Sequence, residues 1–415
     1  MKPTITIIGA GISGLSAGLH LHRKGFTVKI IEASDRVGGR IKTDIVDGFR
    51  LDQGFQVLLT SYPEAKMLLD YDALELKIFL PGATVLYDGG QFEIADPFRR
   101  PSALLATAFA PVGSLKDKFN TFILKNKLIA KSVEGVFAQP QKSSLEQLSD
   151  YGFSTKMINR FFKPFFSGIF LENNLATSNR MFDFVMKMFS EGDAAIPALG
   201  MEEIPKQLAK QLPEHAFLFN TKVVDIQANT IITTTGEQIQ SDIIIVATEA
   251  TALISKYKTT IETKHHSVTN VYFEAKVAPS NKAVVILNAS EKDKIVNNLT
   301  VMTNASMAYA PAEKVLVSVS CTGMLDYSDQ ELAQKIKTEL QPWFGNQVEH
   351  WSHLKTYKVK YALPQLAILK DDLNTADMKI NDNLYCCGDH LMNGSINAAM
   401  KSGRLLADLI AKELE

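Results

Sequence analysis

Three glycines, Gly9, Gly11 and Gly14, follow directly on the apolar run Ile5 to Ile8, in the order Gly9-Ala10-Gly11-Ile12-Ser13-Gly14. This spacing suits a phosphate-binding turn. The first glycine permits the tight bend, the second lets backbone approach a pyrophosphate, and the third lets the following helix pack closely on the strand. That helix would offer unpaired N–H groups and the positive end of its dipole to the phosphates. Glu32 lies 18 residues beyond Gly14, near the spacing of about 20 at which an acid accepts from ribose hydroxyls. Next to it, Ala33, Arg36, Gly38, Gly39 and Arg40 form a second glycine turn flanked by guanidinium groups suited to a diphosphate. Far along the chain, Gly388-Asp389 and Ser395-Ile396-Asn397 sit between an apolar strand and an amphipathic helix. An acid there can hold ribityl hydroxyls. A helix start, capped by Ser395 or Asn393, can stabilise the charge of a reduced flavin. The two sets together describe an extended dinucleotide held from both ends of the chain.

The elements that must position these residues follow from periodicity. Thr4 to Ile8 and Val28 to Ile31 read as buried parallel strands, with a helix over Ile12 to Lys24 between them. Asp47-Gly48 and Asp88-Gly89-Gly90 mark hairpins. Ser143 to Leu212 reads as mostly helical and Lys222 to Ile245 as strands. Ser267 to Cys321 suggests an antiparallel sheet, Ser328 to Leu340 a helix and Val348 to Leu354 a strand. The fold class expected is α/β, α+β overall: a Rossmann-like FAD-binding domain built from discontinuous segments, with an interleaved substrate domain of antiparallel sheet plus helices. The segments 1–60, 200–255 and 380–415 form the first. Segments 61–199 and 256–379 form the second, with a helical subdomain at about 98–199.

The 415 residues carry 44 Lys plus Arg against 45 Asp plus Glu, a net charge of −1 that gives no reason to expect nucleic acid. Three cysteines, Cys321, Cys386 and Cys387, are too few for a disulfide framework and fit a reducing compartment, so the cytoplasm is the expected location. His265-His266 and the His350/His353 pair lack a third ligand at metal spacing, so no metal site is expected.

The segments "IIGAGISGL", "EASDRVGGRIKT", "LDQGFQ", "PALGMEEIPKQLA", "TKVVDI", "DIIIVAT" and "CCGDHLMNGSINAAMKSGR" occur in one order across nearly the whole chain. In this the chain resembles the flavin-containing amine oxidase superfamily, which includes monoamine and polyamine oxidases, protoporphyrinogen oxidase and the phytoene-type desaturases. The resemblance implies FAD, with the backbone of Val223 at the adenine and Gly54, Phe55 and Gln56 beside the flavin ring. Cys386 and Cys387 belong to the strand before Gly388 and offer no covalent link, so the FAD is expected to be non-covalent. The resemblance also exposes departures. Where amine oxidases place a lysine that holds a water near the flavin, this chain has Asn270. Where they place an aromatic wall, it has Ser395.

These departures, with the run Phe161, Phe162, Phe165, Phe166, Phe170 and the methionines Met181, Met186 and Met188, turn the expectation toward desaturase or protoporphyrinogen-oxidase chemistry. The expected reaction is hydride-transfer dehydrogenation of a hydrophobic molecule such as an isoprenoid, carotenoid or tetrapyrrole, with oxygen or a quinone as acceptor. No general base is identified. The phenylalanines either line a pocket for such a substrate or fill a helical core. An amine oxidase on a small amine or polyamine, and a flavin-binding protein without turnover, are the alternatives. Lys116, Lys118, Lys125, Lys127 and Lys131, interleaved with Leu115, Phe119, Phe122, Ile123 and Leu128, suit either a solvated helix face or peripheral contact with an anionic membrane.

Overall fold

A computed structural model describes residues 3–96, 99–251, 253–292 and 294–415. Its first sheet is assembled from distant pieces of chain. The strands β1 (Ile5–Ile8), β2 (Val28–Ile31), β3 (Phe217–Leu218), β4 (Ile243–Val246) and β5 (Leu384–Cys386) lie in the order β3-β2-β1-β4-β5. All neighbours are parallel. Parallel strands covered on both faces must be apolar throughout, and Ile5, Ile7, Ile30, Ile244 and Ile245 are all at most 1% exposed. The helix α1 (Ile12–Arg23) connects β1 to β2, ending near Gly25, whose φ of 80° only glycine adopts cheaply.

The second sheet is seven-stranded. It runs Ser352–Pro364, His265–Ala275, Val315–Thr322, Asn298–Val301, Val285–Asn288, Gly82–Tyr87 and Gly90–Ala95. It is antiparallel except where Val285–Asn288 runs parallel to Gly82–Tyr87. Both expected hairpins form: Asp47-Gly48 joins Thr43–Val46 to Phe49–Asp52 with φ of 50° and 81°, and Asp88-Gly89 joins Gly82–Tyr87 to Gly90–Ala95. The strand expected at Val348 to Leu354 starts late. A 3-10 turn covers Gly345–His350, and the true strand extends to Pro364. Its alternation is obscured because one edge of the sheet leaves most of these side chains only half-buried.

Helices pack between and beside the sheets. They include α2 (Leu104–Phe109), α3 (Leu115–Ile129), α4 (Lys163–Phe170), α5 (Asn179–Glu191) and α6 (Ile396–Leu414). A turn of π-helix, Ile158–Phe162, leads into α4. The last of these, α6, lies directly on α1. A Cβ at Gly403 would come within 2.5 Å of the Ser13 carbonyl oxygen and 2.7 Å of the Ala17 nitrogen, and Ser16 Oγ donates to Met400 O at 2.7 Å. Two backbones this close leave no room for a methyl group. Gly403→Ala is therefore expected to lower stability by about 1–3 kcal/mol, the usual cost of overpacking, in urea or thermal unfolding; an unchanged midpoint would show that the helices are not held this tightly.

Candidate functional site

The glycine turn after β1 is defined by what its side chains would strike. Gly9 has φ of 108°, and a Cβ on it would lie 2.9 Å from the Ala247 carbonyl oxygen at the end of β4. A Cβ on Gly14 would overlap the Gly9 carbonyl. Gly11 differs: its nearest neighbour, the Gly39 Cα, is 4.0 Å away, so a side chain would point into open space. The Gly38–Gly39 turn is joined to Gly11 through the Gly38 N–H to Ala10 O bond of 2.9 Å. Gly39 has φ of 59°. Two glycine turns thus face each other backbone to backbone. No side chain caps α1, so its first-turn amides face the space between them. That is the donor set a diphosphate needs.

Glu32 leaves β2 beside this cradle. Its carboxylate accepts from Ala10 N at 2.8 Å and from the backbone and hydroxyl of Ser34 at 2.9 and 2.8 Å. The acid is thereby pinned at the cavity wall. Arg40 is pinned from the other side, donating to Asp389 Oδ1 at 2.5 Å and to Ala362 O at 3.2 Å. Asp389 comes from the turn after β5, so this ion pair ties the second glycine turn to the C-terminal one. Ser395 caps α6, accepting from Ala398 N at 3.0 Å and donating to Asn393 Oδ1 at 2.8 Å.

A continuous cavity of about 1100 Å³ runs along these groups. Gly9, Gly11, Ile12, Ser13, Glu32, Ala33, Gly38, Gly39, Arg40, Gly54, Phe55, Gln56, Val223, Gly388, Asp389, Ser395 and Ile396 all line it. Four expected site residues do not. Ala10 and Gly14 are spent on the turn itself. Arg36, expected near the diphosphate, is instead taken up by two acids, Asp44 at 2.5 Å and Glu202 at 2.7 Å. The Asn397 side chain is turned inward to accept from Glu64 N at 3.1 Å.

Beyond Phe55 the cavity becomes apolar. The phenylalanine run divides by helical face: Phe161 and Phe165 line the cavity, as do Met181 and Met186, whereas Phe162, Phe166 and Phe170 are at most 1% exposed core residues. Met188 also belongs to the core. Val185, Phe189, Ile169 and Leu287 complete the apolar wall. Four charged residues near it form two ion pairs: Arg99 with Asp193, and Lys125 with Asp96. Asn270 does not line the cavity. It is fully buried, its amide donating to Ser318 Oγ at 3.1 Å and its carbonyl accepting from Ser320 Oγ at 2.7 Å. Asn270, read in the sequence as standing where amine oxidases place a flavin-side lysine, thus lies outside the cavity in a neutral Asn–Ser cluster.

Sequence reasoning missed His390, Lys222, Leu80 and Cys321, which also line the cavity. His390 and Lys222 had a signal, their places next to Asp389 and Val223. Burial pushes the His390 imidazole down to about 4, with Asp389 opposing and Arg40 reinforcing the shift. Burial also raises the Cys321 and Cys387 thiols well above their usual range and Cys386 to about 11, so all three stay protonated at neutral pH.

The sequence pattern of the flavin containing amine oxidoreductases matches residues 12–411. The chain belongs to this family. It is a flavin-dependent oxidoreductase with FAD as cofactor, and the uncapped helix start and the two facing glycine turns suit that dinucleotide. Protoporphyrinogen oxidase 2 of Arabidopsis thaliana is 25% identical over 166 residues, 40% of this chain and 32% of that protein. The phytoene desaturase of Fusarium fujikuroi is 32% identical over 102 residues, 23% of this chain and 18% of the relative. The flavoenzyme thus spans no more than about a third of either curated relative's length in the matched regions. The solved structure of cyclohexylamine oxidase from Brevibacterium oxydans shares the fold over 100% of both chains, with a TM-score of 0.69 at 15% identity.

Two predictions follow from this geometry. Gly11→Ala places its methyl in open space between the glycine turns. The apo-flavoenzyme should keep its far-ultraviolet circular dichroism and melting temperature while its affinity for FAD falls at least about tenfold, by fluorescence titration; tight binding by the variant would remove the cradle from the cofactor site. His390 is neutral in the folded state down to about pH 4, whereas the unfolded chain protonates it from 6.5. Stability should therefore fall as pH drops from 6.5 to about 4, by at most on the order of 3 kcal/mol from this group. His390→Gln should flatten that limb in urea unfolding across the window, and an unaltered limb would assign it to other groups.

Proposed function

We propose that the flavoenzyme dehydrogenates a hydrophobic small molecule of the isoprenoid, carotenoid or tetrapyrrole kind, with oxygen or a quinone taking the electrons afterwards. The observation that carries this reading is the apolar wall of Phe161, Phe165, Ile169, Met181, Val185 and Phe189, continuous with the cofactor cradle. Flexible methionines and aromatic faces suit a large apolar ligand. The short Ser395 side chain borders the cavity where the resembling amine oxidases have an aromatic wall, which also favours a substrate other than an amine.

A flavin held in the cradle by the facing glycine turns, Glu32 and Arg40 would supply a two-electron acceptor for dehydrogenation. The protein's own contribution is positioning and exclusion of water. Phe55 and Val268 stand beside Gly54 in the cavity wall, so the substrate is pressed between the apolar wall and the region that Gly54, Phe55 and Gln56 border. The start of α6, with its dipole toward the cavity, favours negative charge there. Among the described residues, the carboxylates beside the apolar section, Asp96 and Asp193, are engaged by Lys125 and Arg99. Non-covalent retention fits the cysteines: Cys386 and Cys387 lie in and after β5 outside the cavity lining, and the buried Cys321 thiol is held protonated.

Anaerobic addition of a carotenoid precursor or a porphyrinogen should bleach the oxidised-flavin absorbance, and small amines or polyamines should not. Bleaching by amines alone would establish the amine oxidase reading in its place. A flavin that no compound of either class reduces would make the chain a flavin-binding protein without turnover.

A further inference from the structure

We infer that the substrate carries a neutral hydroxyl group, and that Asn298 and Ser320, neighbours on the sheet floor of the cavity, bind it. The starting observation is a polar spot inside an apolar wall. Strand register sets Leu287, Asn298 and Ser320 side by side across three strands, and all three line the cavity. Val268 and Val285 of the same sheet line it as well. The helix α4 lies against the spot. A Cβ on its Gly168 would come within 2.8 Å of Asn297 Nδ2 and 2.9 Å of Asn298 Oδ1, while its Phe165 and Ile169 belong to the apolar wall. A few fixed polar groups in an otherwise apolar cavity are what orient a hydrophobic ligand.

The hydrogen-bond network leaves one donor and one acceptor unspent at this spot. The Pro164 carbonyl can only accept, so the Asn297 group that meets it at 3.3 Å is the amide nitrogen. The same nitrogen donates to Asn298 Oδ1 at 2.9 Å, which fixes the orientation of the second amide. The Asn298 amide nitrogen then makes no hydrogen bond among the described residues. Asn298 is only 4% exposed, so a group inside the cavity has to satisfy that donor. Ser320 is committed the other way. Its hydroxyl donates to Asn270 Oδ1 at 2.7 Å, and Asn270 is held in turn by Ser318. The Ser320 oxygen therefore has lone pairs to offer the cavity and no proton. Directly opposed residues on neighbouring antiparallel strands carry their Cβ atoms about 5 Å apart, so one ligand oxygen can reach both.

That combination selects a hydroxyl. An alcohol oxygen accepts from Asn298 Nδ2, and its proton goes to Ser320 Oγ. A carboxylate has no proton for Ser320, and an ammonium has no lone pair for Asn298. Nor does either find a ready counter-charge: Arg99 and Lys125 are held by Asp193 and Asp96, and Lys118 donates to the carbonyls of Ala108 and Ala110. Burying an unpaired charge costs far more than burying a hydrogen-bonded hydroxyl. A plain hydrocarbon would leave the Asn298 amide without a partner. The inference rests on the hydrophobic-substrate reading above and narrows it to a hydroxylated member of that class.

The test uses the full FAD-loaded chain and calorimetric titration with three probes of one carbon skeleton. Farnesol can donate and accept, its methyl ether can only accept, and farnesene can do neither. Transfer from water favours farnesene in every variant, so the readout is the affinity of each oxygenated probe relative to farnesene. Asn298→Leu should lower that ratio about tenfold for both farnesol and the ether. Ser320→Ala should lower it about fivefold for farnesol and leave the ether unchanged. The alanine variant removes a single oxygen and keeps Asn270 bonded to Ser318, so it decides the matter should the leucine variant fold poorly. Ratios that neither variant moves, while all three probes bind, would overturn the inference and leave the hydrophobic-substrate reading standing. So would farnesoic acid or farnesylamine binding the wild type more tightly than farnesol. Failure of all three probes to bind the wild type would overturn the hydrophobic-substrate reading, and this inference with it.

Discussion

The contact of α1 with α6 is the constraint on which the site depends. At Gly403 the two helix backbones approach so closely that hydrogen is the only substituent accommodated, and the Ser16 hydroxyl bonds across to Met400 O. Both helices begin at the cavity, one at Gly11 and the other at Ser395. Fixing their mutual position therefore fixes the distance between the two ends of the cofactor cradle. The Arg40–Asp389 ion pair repeats this coupling at the level of loops. Rigid elements supply the geometry, and the residues at their ends supply the chemistry.

A second junction joins the hairpin after the glycine turns to the large sheet. Asp52 is buried, accepting from Thr43 Oγ1, Met201 N and Tyr309 Oη at 2.5, 3.0 and 2.8 Å, while Tyr272 Oη donates to its backbone carbonyl at 3.0 Å. Burial pushes the carboxyl up to about 6, against the three donors that favour its ionised form. Gly54 follows two residues later in the cavity wall. The cavity-wall segment that begins at Gly54 is thus anchored on its N-terminal side by a hydrogen-bonded acid.

Much of this was legible in sequence where local rules decide. The buried β1 and β2, the helix between them and both hairpins follow from runs of Ile and Val and from Asp-Gly pairs, which are short-range signals. The glycine turns were legible for the same reason. What sequence could not separate was determined by the facing of helices. Phe161 and Phe162 are adjacent, yet one borders the cavity and the other is core, because a helix turns neighbours about 100° apart. Arg36 resembled a phosphate ligand until Glu202, far along the chain, proved to be its partner. The stripe of Leu115, Phe119, Phe122 and Ile123 on α3 has the pattern of a core-facing helix, and only the fold shows that it points outward. Gly403 carried a weak signal, a glycine inside an amphipathic helix, which gains meaning only once α1 is seen against it.

The distance in sequence between the two halves of the cradle has a consequence for how the protein is made. A nascent chain presents Gly11 and Glu32 early, but Gly388, Asp389 and Ser395 leave the ribosome more than 350 residues later. At about 5–20 residues per second that interval is tens of seconds, during which β1 and β2 exist without β4, β5 or α6 beside them. The flavin-ring end of the site cannot close until α6 has formed and settled on α1. Capture of FAD at both ends is therefore a late event in biogenesis, and an intermediate lacking α6 would leave the buried faces of α1 and β4 open to chaperones.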